Sequence, residues 1–278
     1  MPASPRLKAL IVRAAPYWAG EAEVFRTYWT WSGRSVETDR GWLALQCYKE
    51  VFGASADGRR KGPFLGPLEQ LFEMFEQIDI GVDRHEVLDI AEGLWAEFAH
   101  YCAFADVYDS LRDPGDPKIN PAALQAWRAD RRMPGRTEDD ELTALRNRHV
   151  DRHGPLGTRA LRFTEGGYCT LYSEGMRLAV QPTARFEPAD RAIARACTRV
   201  WEDEFGHMLK GIAGLDEEGL SEADWALLGE ISVEQLKGRI RMRNAQFGGP
   251  LAGRALEDAL AGRCAPIAFD FARAGLAG

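Results

Sequence analysis

The sequence predicts an all-α protein, and three observations support this fold class. No segment shows the sustained apolar–polar alternation of a half-buried strand. Apolar residues instead recur at spacings of three and four over several segments of ten residues or more. The composition, with 45% hydrophobic and 28% charged residues among 278, is that of a globular protein with a substantial core. We therefore predict a single helical domain over residues 1–278.

Charge and cysteine content narrow the class of protein further. A formal net charge of -7 argues against a broad nucleic-acid-binding surface. No apolar run approaches the roughly 18 residues of a membrane span, and the N-terminus lacks the clean apolar stretch of a secretory signal. The five cysteines are scattered, without a CxxC pair. We expect a cytoplasmic protein that binds neither nucleic acid nor a membrane.

Caps and helix breakers place the elements in chain order. Pro67 sits where a first helical turn begins, and Asp83 is the expected N-cap of a long helix that ends near Leu111. A Pro-rich, charged stretch over residues 112–157 predicts a long crossover. The aromatic-rich N-terminal segment is expected to pack a terminal helix onto the rest. Further helices are predicted over residues 38–52, 158–180, 188–212 and 221–247.

Two motifs carry the predicted chemistry, Glu97-Phe-Ala-His100 and Glu204-Phe-Gly-His207. Residues three apart project from one face of a helix, so each pair can bind one metal ion from the same side. Apolar residues flank both pairs at helical spacing, which places them on inward faces. Mixed carboxylate and imidazole ligands suit iron or manganese.

Two ExxH motifs on separate helices, with single glutamates on two others, resemble the ferritin-like di-iron carboxylate superfamily. The resemblance implies a ferritin-like four-helix bundle with extra N- and C-terminal helices. It assigns the metal-binding core to residues 67–212 and the crossover to residues 112–157. It also implies two more glutamate ligands, which must be chosen by helix register.

Glu165 is the predicted ligand of the third helix. Facing ligands of an antiparallel helix pair lie at similar distances from the turn that connects the two helices. Glu204 follows Pro188 by 16 residues, and Glu165 precedes Pro182 by 17. Glu174 lies much too close to that turn.

The ligand of the first helix is less well specified. Strict symmetry would place it near Phe64, where no acid occurs, so Glu69 is taken as the closest match. Alignment of two Gly-Pro openings pairs Glu73 with Glu165 instead. Glu76 and Glu50, the latter on the preceding helix, remain alternatives.

Other polar residues receive a less specific interpretation. Tyr101, Tyr168 and Tyr172 follow the predicted ligands by three to seven residues, and are candidates for hydrogen bonding to them or for core packing. The basic segments around residues 146–149 and 236–247 are interpreted as solvated faces. The histidines His85, His149 and His153 are expected at the surface.

These features predict a non-haem di-iron oxygenase or oxidase that activates O2 to oxidise a small organic substrate. Two iron ions are the expected cofactor, with manganese or a mixed Mn/Fe pair as alternatives. Electrons would come from a reductase or from the substrate, and a homodimer is one open assembly state. The alternatives are a ferritin-like iron storage or handling protein, and an all-α binding protein without metal.

Overall fold

The computed structural model describes residues 2–53, 62–129, 133–165, 168, 170–178 and 187–277, without the side chain of residue 207. These residues form eleven α-helices and no β-strand, which confirms the all-α prediction. Within them, no helix combines the length and apolarity needed to cross a membrane. The helices are α1 (Pro5–Thr30), α2 (Val36–Phe52), α3 (Leu65–Met74), α4 (Arg84–Ser110), α5 (Pro121–Ala129), α6 (Arg136–His153), α7 (Pro155–Thr164), α8 (Thr170–Arg177), α9 (Glu187–Leu209), α10 (Glu222–Gln246) and α11 (Gly253–Leu260).

Side-chain caps set the starts of the longest helices. The Asp83 carboxylate accepts a hydrogen bond from the backbone N–H of His85, which confirms it as the N-cap of α4. Ser35 and Ser221 form capping boxes at α2 and α10, so each satisfies backbone donors that the first helical turn leaves unpaired.

One segment differs from the sequence prediction. The crossover over residues 112–157 does not, since helices within it are compatible with that prediction; it contains α5, α6 and the start of α7. The single helix predicted over residues 158–180 is wrong, because α7 and α8 are separate. Glu165 leaves the helical conformation with φ -65° and ψ 137°, and Tyr168 is left-handed at φ 57°. The Gly166-Gly167 pair, unfavourable in a helix, was the available signal.

The aromatic core is built by the N-terminal helix. Trp18 and Phe25 of α1 are fully enclosed, as predicted for this segment. The Phe247 ring, just after α10, lies 5.3 Å from Phe25 and 5.6 Å from Trp42 of α2. α1 packs on α8, α10 and α11, α2 on α4, and α4 on α9, so one core connects all the long helices.

The C-terminal half of α4 and its N-terminal half have opposite surroundings. His100 and Phe104 are completely buried, whereas Trp95 is 65% exposed. α3 packs on α4 but contains no buried residue, and its Phe72 is 85% exposed. The apolar face predicted around Glu97 is therefore enclosed only on its C-terminal side.

The basic segment of α10 corrects another prediction. Arg239 and Arg243 do not form a solvated face: both are buried and bind Glu21 of α1, with Nη2–Oε1 at 2.7 Å and Nε–Oε1 at 3.0 Å. Burial opposes ionisation of Glu21, but the attraction of the two guanidinium groups outweighs burial and lowers its pKa. Helical periodicity cannot reveal such a network, since its acid lies more than 200 residues away in the chain.

Candidate metal centre

A cluster of four side chains, which we call the acidic cluster, can hold a metal ion. It consists of Glu50, Glu97, His100 and Glu204, whose ligand atoms all lie within 4.8 Å of one another. Three carboxylates and one imidazole meet in the interior of a helical protein, where isolated charges are costly. It is the single such group among the described residues.

Three helices bring the acidic cluster together. Glu97 and His100 share a face of α4 one turn apart, which confirms that their spacing places both on the same side. Glu50 comes from the last turn of α2, which packs along α4. Glu204 comes from α9, which packs on α4 from another direction. The ligands thus belong to rigid helices rather than to loops.

His100 is held with one ring nitrogen facing the carboxylates. Its Nε2 lies 3.0 Å from Asp203 Oδ2, so this nitrogen carries the proton that the carboxylate accepts. Its Nδ1 lies 3.4 Å from Glu50 Oε2 and 3.7 Å from Glu204 Oε1. The Nδ1 atom is fully buried and faces these carboxylates without a partner in hydrogen-bond geometry.

Asp203 was not identified from the sequence. It immediately precedes Glu204, and its carboxylate also faces Arg199 at 3.8 Å, one turn earlier on α9. Nothing in the local pattern distinguishes it from the neighbouring Glu202, which is exposed. Only the packing of α9 on α4 shows which of the two acids meets the imidazole.

The electrostatics of the acidic cluster are those of crowded carboxylates. Burial, and then the charges of Glu50 and Glu204, raise the pKa of Glu97 to about 10. Burial also raises the pKa of Glu50. For His100, burial disfavours the charged ring, but Glu50 and Asp203 outweigh it and raise the pKa. Protons therefore provide the positive charge that these carboxylates require.

The donor set fits a transition-metal ion. Carboxylate oxygens and one imidazole nitrogen are the ligand types of iron and manganese sites. A dication would replace the protons on the carboxylates and would accept the lone pair of the unpartnered His100 Nδ1. The second ring nitrogen is already bound to Asp203, which is the usual arrangement of a metal-ligating histidine.

The predicted ligands divide into those that the structure brings together and those that it does not. Glu97, His100 and Glu204 meet in the acidic cluster. Glu69 does not: it lies exposed on α3. Its place is taken by Glu50, because α2 packs on the buried half of α4, where Trp42 contacts Phe104, whereas α3 contains no buried residue. The other two alternatives, Glu73 and Glu76, are exposed as well.

The remaining two predicted ligands are Glu165 and His207. Glu165 is the exposed C-cap of α7 and is not one of the four residues of the acidic cluster, although its charge contributes to the raised pKa of Glu97. His207 follows Glu204 by three residues on α9, but its side chain is outside the described part of the structure.

The three tyrosines have partners of their own. Tyr101 packs on Phe98, with ring centroids 5.7 Å apart, and its hydroxyl donates to the Ile119 carbonyl at 3.5 Å. Tyr172 packs on Phe104. The Tyr168 ring stacks on the core tryptophan of α1 at 4.9 Å. All three therefore contribute to aromatic packing.

Of the histidines expected at the surface, His85 and His149 differ. His85 is exposed. The side chain of His149 is only 13% exposed, and its Nε2 lies 2.9 Å from Glu234 of α10. His153 stacks on His149 and is partly exposed. The surface prediction is therefore correct for His85 and wrong for His149.

Known proteins provide no further assignment of this centre. Comparisons with protein-family models, with curated proteins and with solved structures found no match to the chain. The site is therefore defined by its own residues: three glutamates and a histidine, on three helices, that can hold a metal ion.

Proposed function

We propose that the protein is a non-haem di-iron oxidase or oxygenase of ferritin-like architecture. The acidic cluster is the observation that carries this proposal. Two buried carboxylates and one half-buried carboxylate have no structural reason to converge, because burial and mutual repulsion raise the pKa values of Glu50 and Glu97 and destabilise the metal-free fold. Bound cations would neutralise these carboxylates, so a cation-binding site explains why they converge despite the destabilisation.

The proposed ligand set has six members and differs from the sequence prediction in one. Glu50 replaces Glu69, since it lies in the acidic cluster. The proposed ligands are Glu50, Glu97, His100, Glu165, Glu204 and His207. Glu165 is supported by its electrostatic effect on Glu97, and His207 by its position one helical turn beyond Glu204. In this set each of the two ExxH pairs would provide one glutamate and one histidine, and Glu50 and Glu165 would add one carboxylate each.

Bound iron supplies the chemistry that protein side chains lack, namely the reduction of O2. The chain itself performs three other tasks. Asp203 fixes the orientation of His100, and the burial of His100 and Glu204 keeps bulk water away from their ligand atoms. Glu97 holds a proton in the metal-free protein, and this proton leaves when a cation binds.

An enzyme is favoured over an iron-storage subunit by the helices outside the site. α1, α10 and α11, together with α5 and α6 of the crossover, add far more chain than four helices need to hold two ions. We propose that they enclose a small organic substrate, with electrons from a reductase or from that substrate. A homodimer is compatible with this proposal.

The decisive experiment is anaerobic loading with Fe(II), followed by exposure to O2 and by Mössbauer and optical detection. We expect two irons per chain, a magnetically coupled ferric product and defined O2 consumption. Protein that retains no stoichiometric transition metal would contradict the proposal. Loading with hundreds of irons per particle, in an assembly of cage size by light scattering, would instead indicate storage.

A further inference from the structure

A second polar cluster is built around Thr164, the residue that precedes Glu165 in the chain. It combines Arg146 of α6, Thr164 of α7, and Gln235 and Arg239 of α10, and we call it the basic cluster. α10 packs on both α6 and α7, which brings these side chains together. Thr164 and Gln235 are completely buried.

Thr164 lies at the centre of the basic cluster. Its hydroxyl lies 2.7 Å from Gln235 Oε1, the nearer of its two acceptors, and 3.2 Å from the Leu161 carbonyl oxygen. From the other side, Arg146 Nη2 lies 3.2 Å from both the hydroxyl and the carbonyl oxygen of Thr164. The guanidinium and the amide therefore flank one small side chain, within a few ångströms of each other.

Both flanking groups keep a donor without a partner. Because Gln235 Oε1 accepts the Thr164 hydroxyl, its Nε2 is directed away from that hydroxyl, and this buried nitrogen has no hydrogen-bond partner. The Nε of Arg146 is also buried and unpartnered. An unsatisfied buried donor costs roughly 1–3 kcal/mol, so two neighbouring ones indicate a missing acceptor.

The charges around Arg146 also indicate that an acceptor is missing. Burial, and then repulsion from Arg239, lower the pKa of Arg146 to about 10, despite Glu165, Asp139 and Glu21. Asp139 lies 2.9 Å from Lys49, and Glu21 is bound to Arg239 and Arg243, so both acids are already shared with other cations. The guanidinium of Arg146 is therefore short of negative charge.

We propose that Arg146 and Gln235 bind the carboxylate of a small organic acid. This assignment rests on the proposed function in one respect: the acid is taken to be the molecule that the metal site oxidises. A carboxylate offers planar oxygens to the Nε–H of Arg146 and to the amide of Gln235. One excess positive charge matches a single carboxylate better than a doubly charged phosphate.

Glu165 links the basic cluster to the acidic cluster. It follows Thr164 directly in the chain, it is exposed, and its charge acts on both Arg146 and Glu97. The proposal places the carbon chain of the bound acid past Glu165, towards the acidic cluster.

Binding is tested first in the metal-free protein, so that the metal site cannot contribute. The probes are hexanoate, its neutral analogue hexanamide, and inorganic phosphate, measured by calorimetric titration. We expect saturable binding of hexanoate, at least tenfold tighter than that of hexanamide or phosphate. Equal binding of hexanoate and hexanamide would overturn the proposal, as would a preference for phosphate.

Variants locate the site. Arg146→Gln and Gln235→Glu are each expected to weaken hexanoate binding at least tenfold. In the second variant, the new glutamate would pair with the guanidinium of Arg146 in place of the hexanoate carboxylate. Arg148→Gln changes an exposed arginine of the same helix and should leave binding unchanged. If Arg146→Gln fails to fold by circular dichroism, Gln235→Glu decides alone. Wild-type affinity in the folded variants would refute the assignment.

Orientation has its own measurement, in protein loaded with Mn(II). The paramagnetic ion should relax the terminal methyl protons of hexanoate more strongly than the protons next to the carboxylate. The reverse gradient would contradict the proposed direction. If hexanoate binds at Arg146 while iron-loaded protein fails to react with O2, the carboxylate site stands and the proposed function falls.

Discussion

The acidic cluster and the ion network around Glu21 are both buried, but their charges are compensated in different ways. Glu21 meets two guanidinium groups, and its pKa is lowered although burial opposes ionisation. Glu50 and Glu97 meet other carboxylates, and burial and repulsion raise their pKa values. In the ion network, guanidinium groups neutralise the carboxylate. In the acidic cluster, the charge is neutralised by protons that a metal can displace. The contrast separates a structural network from a binding site.

The largest effect is expected from a substitution within the acidic cluster. Glu50→Ala should abolish stoichiometric binding of iron, because it removes one of three converging carboxylates. Metal content is measured by plasma emission spectrometry after loading and gel filtration. Glu69→Ala is the matched control, since Glu69 is the exposed glutamate that the sequence favours, and it should retain all its metal. The opposite result would restore Glu69 as the ligand.

Breaking the ion network should affect folding rather than metal binding. Glu21→Gln leaves Arg239 and Arg243 buried without their carboxylate, and should lower the free energy of unfolding by about 3–5 kcal/mol. Urea denaturation measures this change. Glu23→Gln, on the more exposed side of the same helix, should cost less than about 1 kcal/mol. A Glu21 variant as stable as wild type would show that the network contributes little.

The pH dependence of stability should distinguish the two regions in the metal-free protein. Glu97 ionises near pH 4.5 when unfolded but near pH 10 when folded, so its contribution is present at low pH and is lost as pH rises between these values. The raised pKa of His100 acts in the same direction. The free energy of unfolding should fall from pH 6 to pH 8, by up to about 1.4 kcal/mol per pH unit for each linked proton.

Lys49, near the ion network, changes the free energy of unfolding with pH in the opposite direction. Burial lowers its pKa from 10.5 to about 8, so its contribution to stability grows only as pH rises above about 8.

The contribution of Glu97 is tested by Glu97→Gln, which should flatten the profile of the free energy of unfolding between pH 6 and pH 8. A wild-type slope that persists in this variant would show that Glu97 is not the linked group.

The smallest expected effect concerns the orientation of His100. Asp203→Asn weakens the hydrogen bond to Nε2 and should reduce metal affinity about 10- to 100-fold, with the protein still folded. Competition with a chelator measures the affinity. Glu202→Gln alters the exposed neighbour on the same helix and should bind metal like wild type. Equal affinities for the two variants would remove Asp203 from the site.

Local signals predicted most of the helices and three of the four members of the acidic cluster. The Asp83 cap and the ExxH spacing depend on residues within one or two turns, so the sequence alone places Glu97 beside His100. The choice between Glu50 and Glu69 depends on which helix covers the buried half of α4, and that is a matter of tertiary packing. Arg239 was misplaced for the same reason, because its partner is distant in the chain.

The spacing of the acidic cluster along the chain has a consequence for folding. Glu50 precedes Glu97 by 47 residues, and Glu204 follows His100 by 104, so a single bound ion closes two long loops. Each closure removes conformational entropy from any state in which the ligands are held together. Metal loading should consequently make α2, α4 and α9 open as one cooperative unit, with a common rate of amide hydrogen exchange.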